Sequence, residues 1–389
     1  MNLRFENTET AFAHLSNAEL RKAYYLFRLV ANRSLVTFGK VCVKIALTLR
    51  IPIGWAIRWN IFEHFCGGET IEECASTTKI LDQYNVGTIL DYSVEGKESS
   101  EDFEFTTEEV LRTVETAHGN EHIPFCVFKT TGISRFSLLE KVNAGLPLTN
   151  QEEKEFEQVK ERMDRIAKRA YETGTPVFID AEESWIQDAI DELTHELMMK
   201  YNKEQVIVYN TAQMYRHDRL AFLSQQFREA KEKGYKYGVK LVRGAYMEKE
   251  RERAEEMDYL SPIQPNKQAS DRDFDHAVTL CLDNLDNVAF CAGTHNEKSS
   301  KILAEELVKR GIDRGDKRIY FAQLFGMSDH ISFNLSNEGF NVAKYVPYGP
   351  IREVIPYLIR RAEENTSVKG QTGRELSLIQ QELKRRKQA

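Results

Sequence analysis

From residue 86 onward, short apolar runs rich in Val, Ile, Phe and Tyr alternate with charged segments of helical period. Eight runs stand out. They are VGTILDYSVEG (86–96), IPFCVFKTTGI (123–133), PVFIDAEES (176–184) and VIVYNTAQMY (206–215), then YGVKLVRGAY (237–246), VAFCAGTH (288–295), RIYFAQLFGM (318–327) and VAKYVPYGP (342–350). Between them, segments such as 151–173, 185–202, 217–234, 297–310 and 351–365 read as amphipathic helices. Strands alternating with helices predict parallel βαβ units, and near-continuous apolar strands fit a sheet buried on both faces. The fold class expected is α/β, and its closed solution is a (β/α)8 TIM-type barrel, for which 86–365 has the right length. An open doubly wound sheet is the alternative. No GxGxxG follows any strand and no GxxxxGKS/T is present, so neither a Rossmann dinucleotide domain nor a P-loop ATPase has support.

Residues 17–65 also read as helical, with a break at Pro52 and Gly54. The expected organisation is an N-terminal helical, basic appendage (1–65), the barrel (66–370) and a basic C-terminal tail (371–389). Composition sharpens this picture in one respect. The 389-residue chain carries a net charge of −7, but residues 1–60 hold nine basic and three acidic side chains and the remainder is strongly acidic. The basic region reads either as a helical layer packed on the main domain or as a surface touching an anionic membrane. The KRRK run (384–387) is a second candidate for that contact, or a solvated terminal helix. The chain starts polar, and Lys40, Lys44 and Arg50 interrupt the apolar stretch 35–57. Neither a signal peptide nor a spanning helix is therefore expected, and the location expected is cytoplasmic, peripheral on the inner face of the membrane. The acidic balance argues against nucleic acid as a partner. Six cysteines without a CxxC pair fit buried free thiols in a reducing compartment. The histidines show no HxH or HExxH, so no metal site is expected, and a GxSxG elbow is missing.

A barrel places its chemistry at the C-terminal ends of its strands. Polar residues collect there: Asp91 and Glu95, Lys129, Asp180 and Glu182, Asn210 and Gln213, Arg243 and Tyr246, Thr294 and His295, Gln323, and Tyr345. Lys129 and Asp180 are the most telling, because they lie in or directly after apolar runs. A buried charge needs a partner or a ligand there. After the second strand, LT followed by NQEE marks a helix start with Thr149 or Asn150 as N-cap. The densely charged 247–275 reads as a solvated helix and loop, or as a lid. Near the end, Tyr357 precedes Arg360 by three and Arg361 by four and shares a helix face with both, with Glu364 one turn on. That is either a surface helix with Arg–Glu pairs or a guanidinium fork for a carboxylate.

The ordered motifs LDYSVEG, VFKTTGI, FIDAEES, VKLVRGAY, GTHN, QLFGM, KYVPYGP and YLIRRAEEN resemble the proline dehydrogenase family over roughly 65–370, in its monofunctional form. The resemblance implies a flavoprotein that oxidises L-proline to Δ1-pyrroline-5-carboxylate by hydride transfer to FAD and passes electrons to a membrane quinone. It implies that Arg360, Arg361 and Lys129 hold the proline carboxylate, and that Tyr246, Leu324, Tyr345 and Tyr357 wall the ring. Asp180 would support the cationic cluster, with Glu95 or Glu364 moderating its repulsion. Gln213, Lys240 or Arg243, Thr294, His295, Asn296, Gln323 and Glu364 would contact FAD. Some bacterial members carry Arg where Lys240 stands. Hydroxyproline-oxidising relatives tend to lack a tyrosine at the Tyr345 position, so proline is the expected substrate and hydroxyproline the alternative. A rival from another class is a Schiff-base lyase using Lys129 or Lys240 as nucleophile. A non-catalytic interaction module on a degenerate barrel is a third.

Overall fold

The computed structural model describes residues 3–48, 54–94, 98–367 and 371–388. Eight parallel strands close into a barrel in chain order: β1 (Val86–Tyr92), β2 (Phe125–Lys129), β3 (Val177–Asp180), β4 (Val208–Gln213), β5 (Tyr237–Val242), β6 (Val288–Gly293), β7 (Ile319–Leu324) and β8 (Val342–Tyr348). Each lies inside one of the eight predicted runs, and closure removes the doubly wound alternative. The predicted helices appear as Asn150–Thr173, Ser184–Tyr201, Arg219–Lys233, Glu297–Lys309 and Ile351–Ser367. The chain forms two compact units, one spanning 96–322, the other joining the segment up to 95 with the segment from 323 onward.

In the 96–322 unit, aromatic residues fill the N-terminal end of the strands. Phe125 opens β2 and stacks on Phe178 of β3, with ring centroids 4.3 Å apart. Tyr320 of β7 and Tyr209 of β4 meet Phe125 edge-on at 4.8 and 5.5 Å. Each belongs to the first or second position of its strand, so this end is a packed floor and the chemistry is left to the other end. Gly238 of β5 lies beside this floor, paired with Tyr209. A Cβ there would come within 2.8 Å of the Tyr209 ring and 2.6 Å of the Val208 carbonyl, so only glycine fits. Cys126 and Cys291 are buried in the same sheet, and burial pushes both thiols up to about 12. Outside the sheet, Thr149 is the N-cap of Asn150–Thr173. Its side chain accepts from the Glu152 amide while Glu152 accepts from the Thr149 amide, closing a capping box.

In the other unit, β1 and β8 pair along their whole length, from Val86 opposite Val342 to Tyr92 opposite Tyr348. The N-terminal helix Asn17–Val30, the turns around Phe62 and Phe65, and the helices Ile351–Ser367 and Gln371–Gln388 share one apolar cluster that includes Phe12, Phe27, Phe62, Tyr357 and Leu378. The basic tail is a helix packed along one side, with Lys384 and Lys387 exposed. Glu382 is fully buried and binds Thr8, Arg385 and Arg386, while Arg386 also donates to the carbonyls of Phe12 and Leu15. The break read around Pro52 lies partly outside the described residues; beyond it the chain makes a π-helical turn, Arg58–Phe62. Among the described residues no helix is long and apolar enough to cross a membrane.

One charge in this unit sits where the strand pattern allows none. Lys344 in β8 is 1% exposed, and its Nζ donates to the Met327 carbonyl at 2.6 Å and to Asp329 at 2.5 Å. Asp329 also meets His14 at 3.3 Å, and the His14 ring stacks on Phe333 at 4.0 Å. Burial alone would raise the Asp329 carboxyl, yet the Lys344 ammonium and His14 hold it well below the usual carboxylate range. Removing one partner of such a pair strands the other in an apolar strand. Asp329→Ala is therefore expected to cost about 3 kcal/mol of stability by chemical denaturation, and Lys344→Met added to it to recover most of the loss. An unchanged denaturation midpoint for Asp329→Ala would contradict this.

Candidate active site

The strand ends of the 96–322 unit carry a connected set of polar side chains. Lys129 and Asp180 are the last residues of β2 and β3 and stand opposite each other in the sheet register. Lys240, in the middle of β5 and 4% exposed, reaches Asp180 through its ammonium and places it 5.3 Å from the centroid of Phe178. The aromatic floor thus supports a buried ion pair directly above it. An ammonium over a ring face gains from the ring quadrupole as well as from the carboxylate.

Arg243 follows β5 and is held from three sides. It donates through Nε to Asp271 at 2.6 Å, through one terminal nitrogen to Thr294 Oγ1 at 2.6 Å, and through the other to Ser299 Oγ at 2.9 Å. Its guanidinium carbon also lies 4.5 Å from the Phe274 ring centroid. Sequence placed Arg243 and Thr294 at two strand ends; the structure joins them. Asp271, which belongs to the charged 247–275 run, is held below its usual range by Lys267 and Arg243 despite partial burial. Asn296 is the N-cap of Glu297–Lys309, its Oδ1 accepting from the Lys298 and Ser299 amides. His295, between these two, is half-buried.

The 247–275 run is less solvated than it reads. Glu250 is fully buried and accepts from the Ser184 amide at 2.7 Å and hydroxyl at 2.6 Å. Lys249 meets Glu183 at 2.8 Å, and Arg253 lies 4.6 Å from the Trp185 ring centroid. Half-buried Tyr246 begins the Met247–Glu256 helix, with Lys249 over its ring at 5.6 Å. The start of this helix is therefore pinned to the loop after β3.

Glu182 was noted only as a polar residue at a strand end, and its part in the site was missed. It is 3% exposed, and its carboxylate accepts both the amide of Thr131, at 2.9 Å, and the Thr131 hydroxyl. Its carbonyl accepts from Gln213 Nε2 at 2.6 Å, and its amide donates to Gln187 Oε1 at 2.7 Å. Burial pushes this carboxyl up to about 7 against the opposing pull of the Thr131 donors and the Lys129 charge. The available signal was DAEES, three carboxylates in four positions just after an apolar strand.

The other unit holds the remaining predicted residues. Gln323, 2% exposed, accepts from the Ser332 hydroxyl at 2.8 Å, and Leu324 ends β7 half-buried. Tyr345 lies in β8, opposite Ile89, and is 7% exposed. On Ile351–Ser367, Tyr357 and Arg361 do share a face: the guanidinium lies 5.0 Å from the ring centroid, with both residues buried and Arg360 half-buried. Arg361 lies inside the protein, so this helix does not present both guanidinium groups to the surface. Glu95 and the side chain of Glu364 lie outside the described residues.

With this geometry in view, the comparisons fall in line. The family model for proline dehydrogenase matches residues 74–374. Proline dehydrogenase 1, mitochondrial, of Dictyostelium discoideum is 34% identical over 384 residues, covering 87% of this chain and 67% of the relative. The human protein of the same name is 40% identical over 241 residues, 61% of this chain and 40% of its own. The carbapenem antibiotics biosynthesis protein CarD of Pectobacterium carotovorum subsp. carotovorum is 33% identical over 83% of both chains. Among solved structures, proline utilization A (PutA) from Bdellovibrio bacteriovorus, inactivated by N-propargylglycine, superposes with a TM-score of 0.72 at 19% identity. That match covers 94% of this chain and 37% of that one, so the present chain spans little more than a third of the larger protein. By the family match and the identity to its relatives, this chain belongs to the proline dehydrogenase family.

Proposed function

We propose that the protein is an FAD-dependent enzyme that oxidises L-proline to Δ1-pyrroline-5-carboxylate and passes the electrons to a membrane quinone. The observation that carries this reading is the buried Arg361 guanidinium packed on Tyr357, with Arg360 beside it, in a chain of this family. A fixed planar guanidinium suits a small carboxylate far better than a mobile ammonium does.

The donor set fits the cofactor. Arg243, locked by Asp271, Thr294 and Ser299 and backed by Phe274, is a rigid cation suited to a phosphate or a ring carbonyl. Gln213, Lys240 or Arg243, Thr294, His295, Asn296, Gln323 and Glu364 are the residues that would hold FAD. Bound there, it would supply the hydride acceptor for the reaction. The chain's own work is to bind and orient. Arg360, Arg361 and Lys129 would hold the proline carboxylate, and Tyr246, Leu324, Tyr345 and Tyr357 would wall its ring and exclude water. Asp180, paired with Lys240 and opposite Lys129 in the sheet register, would support the cationic cluster.

The quinone reading finds support in the N-terminal helices. Tyr25, Leu29, Leu35, Phe38 and Val41 expose between 48 and 69% of their surface, and Arg21 and Arg28 stand exposed near them in sequence. Apolar side chains flanked by cations are what an anionic lipid surface selects.

The purified protein should be yellow, and L-proline should bleach it without oxygen; a colourless protein indifferent to proline would sink the proposal. Arg361→Ala should raise KM for proline roughly 100-fold in a dye-reduction assay, since it removes charge-assisted bonds made in both ground and transition states. Vesicles containing anionic lipid should co-sediment the protein, vesicles of neutral lipid much less, and Leu35→Glu with Phe38→Glu should abolish the difference. A double variant that still sediments with anionic vesicles as the unaltered protein does would count against the membrane contact.

A further inference from the structure

A second set of buried polar side chains runs from the helix Ser184–Tyr201 to the end of β4, and the roles assigned above use only its last member, Gln213. Gln187 and Asp191 lie four positions apart on that helix and share a face. Gln187 Nε2 donates to Asp191 Oδ1 at 2.9 Å. Asn210 Nδ2, from β4, donates to the same oxygen at 2.8 Å, and Arg219 Nη1 donates to Oδ2 at 2.7 Å. On its other side, Gln187 Oε1 accepts from the Glu182 amide at 2.7 Å, and the Glu182 carbonyl accepts from Gln213 Nε2 at 2.6 Å. None of these six residues is more than 6% exposed, so the series of bonds runs through the interior.

We propose that Gln187 and Asp191 are positioning residues for Gln213: Asp191 orients the Gln187 amide, Gln187 holds the Glu182 peptide, and that peptide fixes which end of the Gln213 amide is offered to the cofactor. This rests on the reading that Gln213 meets FAD.

The direction of every bond follows from the groups present. A carboxylate beside a guanidinium only accepts, so Gln187 must turn its nitrogen to Asp191 and its oxygen to the Glu182 amide. A peptide carbonyl also only accepts, so Gln213 must give it the nitrogen and point its oxygen elsewhere. Asn210 obeys the same rule, its Oδ1 accepting from the Thr211 amide at 2.8 Å. Asn210 and Gln213 stand three positions apart on β4, so alternation puts their side chains on opposite faces of the sheet. Asp191 meets Asn210 on one face, and the bonds that lead from it to Gln213 on the other pass through Gln187 and the Glu182 peptide. Without the Asp191 oxygen, the Gln187 amide has no reason to keep its carbonyl toward Glu182, and the turned amide sets N–H against N–H.

Release of FAD from the holoenzyme, followed by the rise in flavin fluorescence on dilution, tests this without turnover. Gln187→Met should release FAD about tenfold faster than the unaltered protein, the worth of one hydrogen bond. In a Gln213→Ala background, itself faster in release, Gln187→Met should add nothing, because the two act in series. A general loosening of the fold would instead add its full effect there. The part played by Asp191 is read in an Arg219→Leu background, where no buried guanidinium is left without its carboxylate. There Asp191→Asn keeps an oxygen for Gln187 and should hold FAD as the unaltered protein does, while Asp191→Leu should release it about tenfold faster. This second pair also carries the test where Gln187→Met fails to fold. Release by Gln187→Met at the unaltered rate, a full effect that persists on Gln213→Ala, or equal release by the Asn and Leu variants would each overturn the positioning role alone. A Gln213→Ala variant that holds FAD normally would overturn the contact of Gln213 with FAD, and this inference with it; a protein without flavin would overturn the FAD reading as a whole.

Discussion

A charge inside a strand of a closed parallel barrel has no water to turn to on either face, so it must be answered by a neighbouring element. That constraint organises both units of this protein. Lys240 is answered by Asp180, and Lys344 by Asp329 and two carbonyls. Arg243, just beyond its strand, is answered by Asp271, Thr294 and Ser299. Each answer comes from another strand end or from the early turns of a helix that follows another loop. The requirement to satisfy the charge therefore also fixes how those loops lie, which is what a binding site at this end of a barrel needs.

The same logic extends to segments that look peripheral. The C-terminal helix carries Glu375, which accepts from the Ser328 amide directly after the loop that follows β7, and Glu382, which binds Thr8. His64 touches the Gly326 carbonyl at 2.9 Å, and burial pushes its imidazole down to about 4, so it sits there neutral. A Cβ at Gly326, whose φ is +73°, would collide with the His64 carbonyl. The loop carrying Phe325 to Ser328, next in sequence to Gln323 and Leu324, is thus clamped by residues from both chain termini.

What the sequence made legible follows from period and locality. The eight strands were readable because fully buried strands are apolar without interruption, and the Thr149 cap because a capping box is closed within four residues. The sharing of a face by Tyr357 and Arg361 was readable from helical spacing alone. What escaped was non-local. Arg243 and Thr294 are 51 residues apart and Lys240 and Asp180 are 60 apart, so their pairing depends on strand register, which no local pattern encodes. Lys344 was overlooked although it breaks an apolar strand as visibly as Lys129 does. Glu250 was hidden by its neighbours, because a buried carboxylate inside a run of solvated ones has no distinguishing pattern.

Two carboxylates near the end of β3 show why pairing, more than burial, decides what a charged residue can do. Asp180 and Glu182 are two positions apart and both are largely shielded from water. Asp180 faces a buried ammonium, and a full opposite charge at contact offsets the loss of hydration. Glu182 faces an amide and a hydroxyl, whose partial charges offset only part of the same loss, so its proton is held until about pH 7. One carboxylate is thereby tied to an ammonium across the sheet, and the other is pushed up to about 7 by burial. The difference comes from where two side chains land: Lys240 reaches Asp180 across the barrel strands, and the Thr131 turn reaches Glu182.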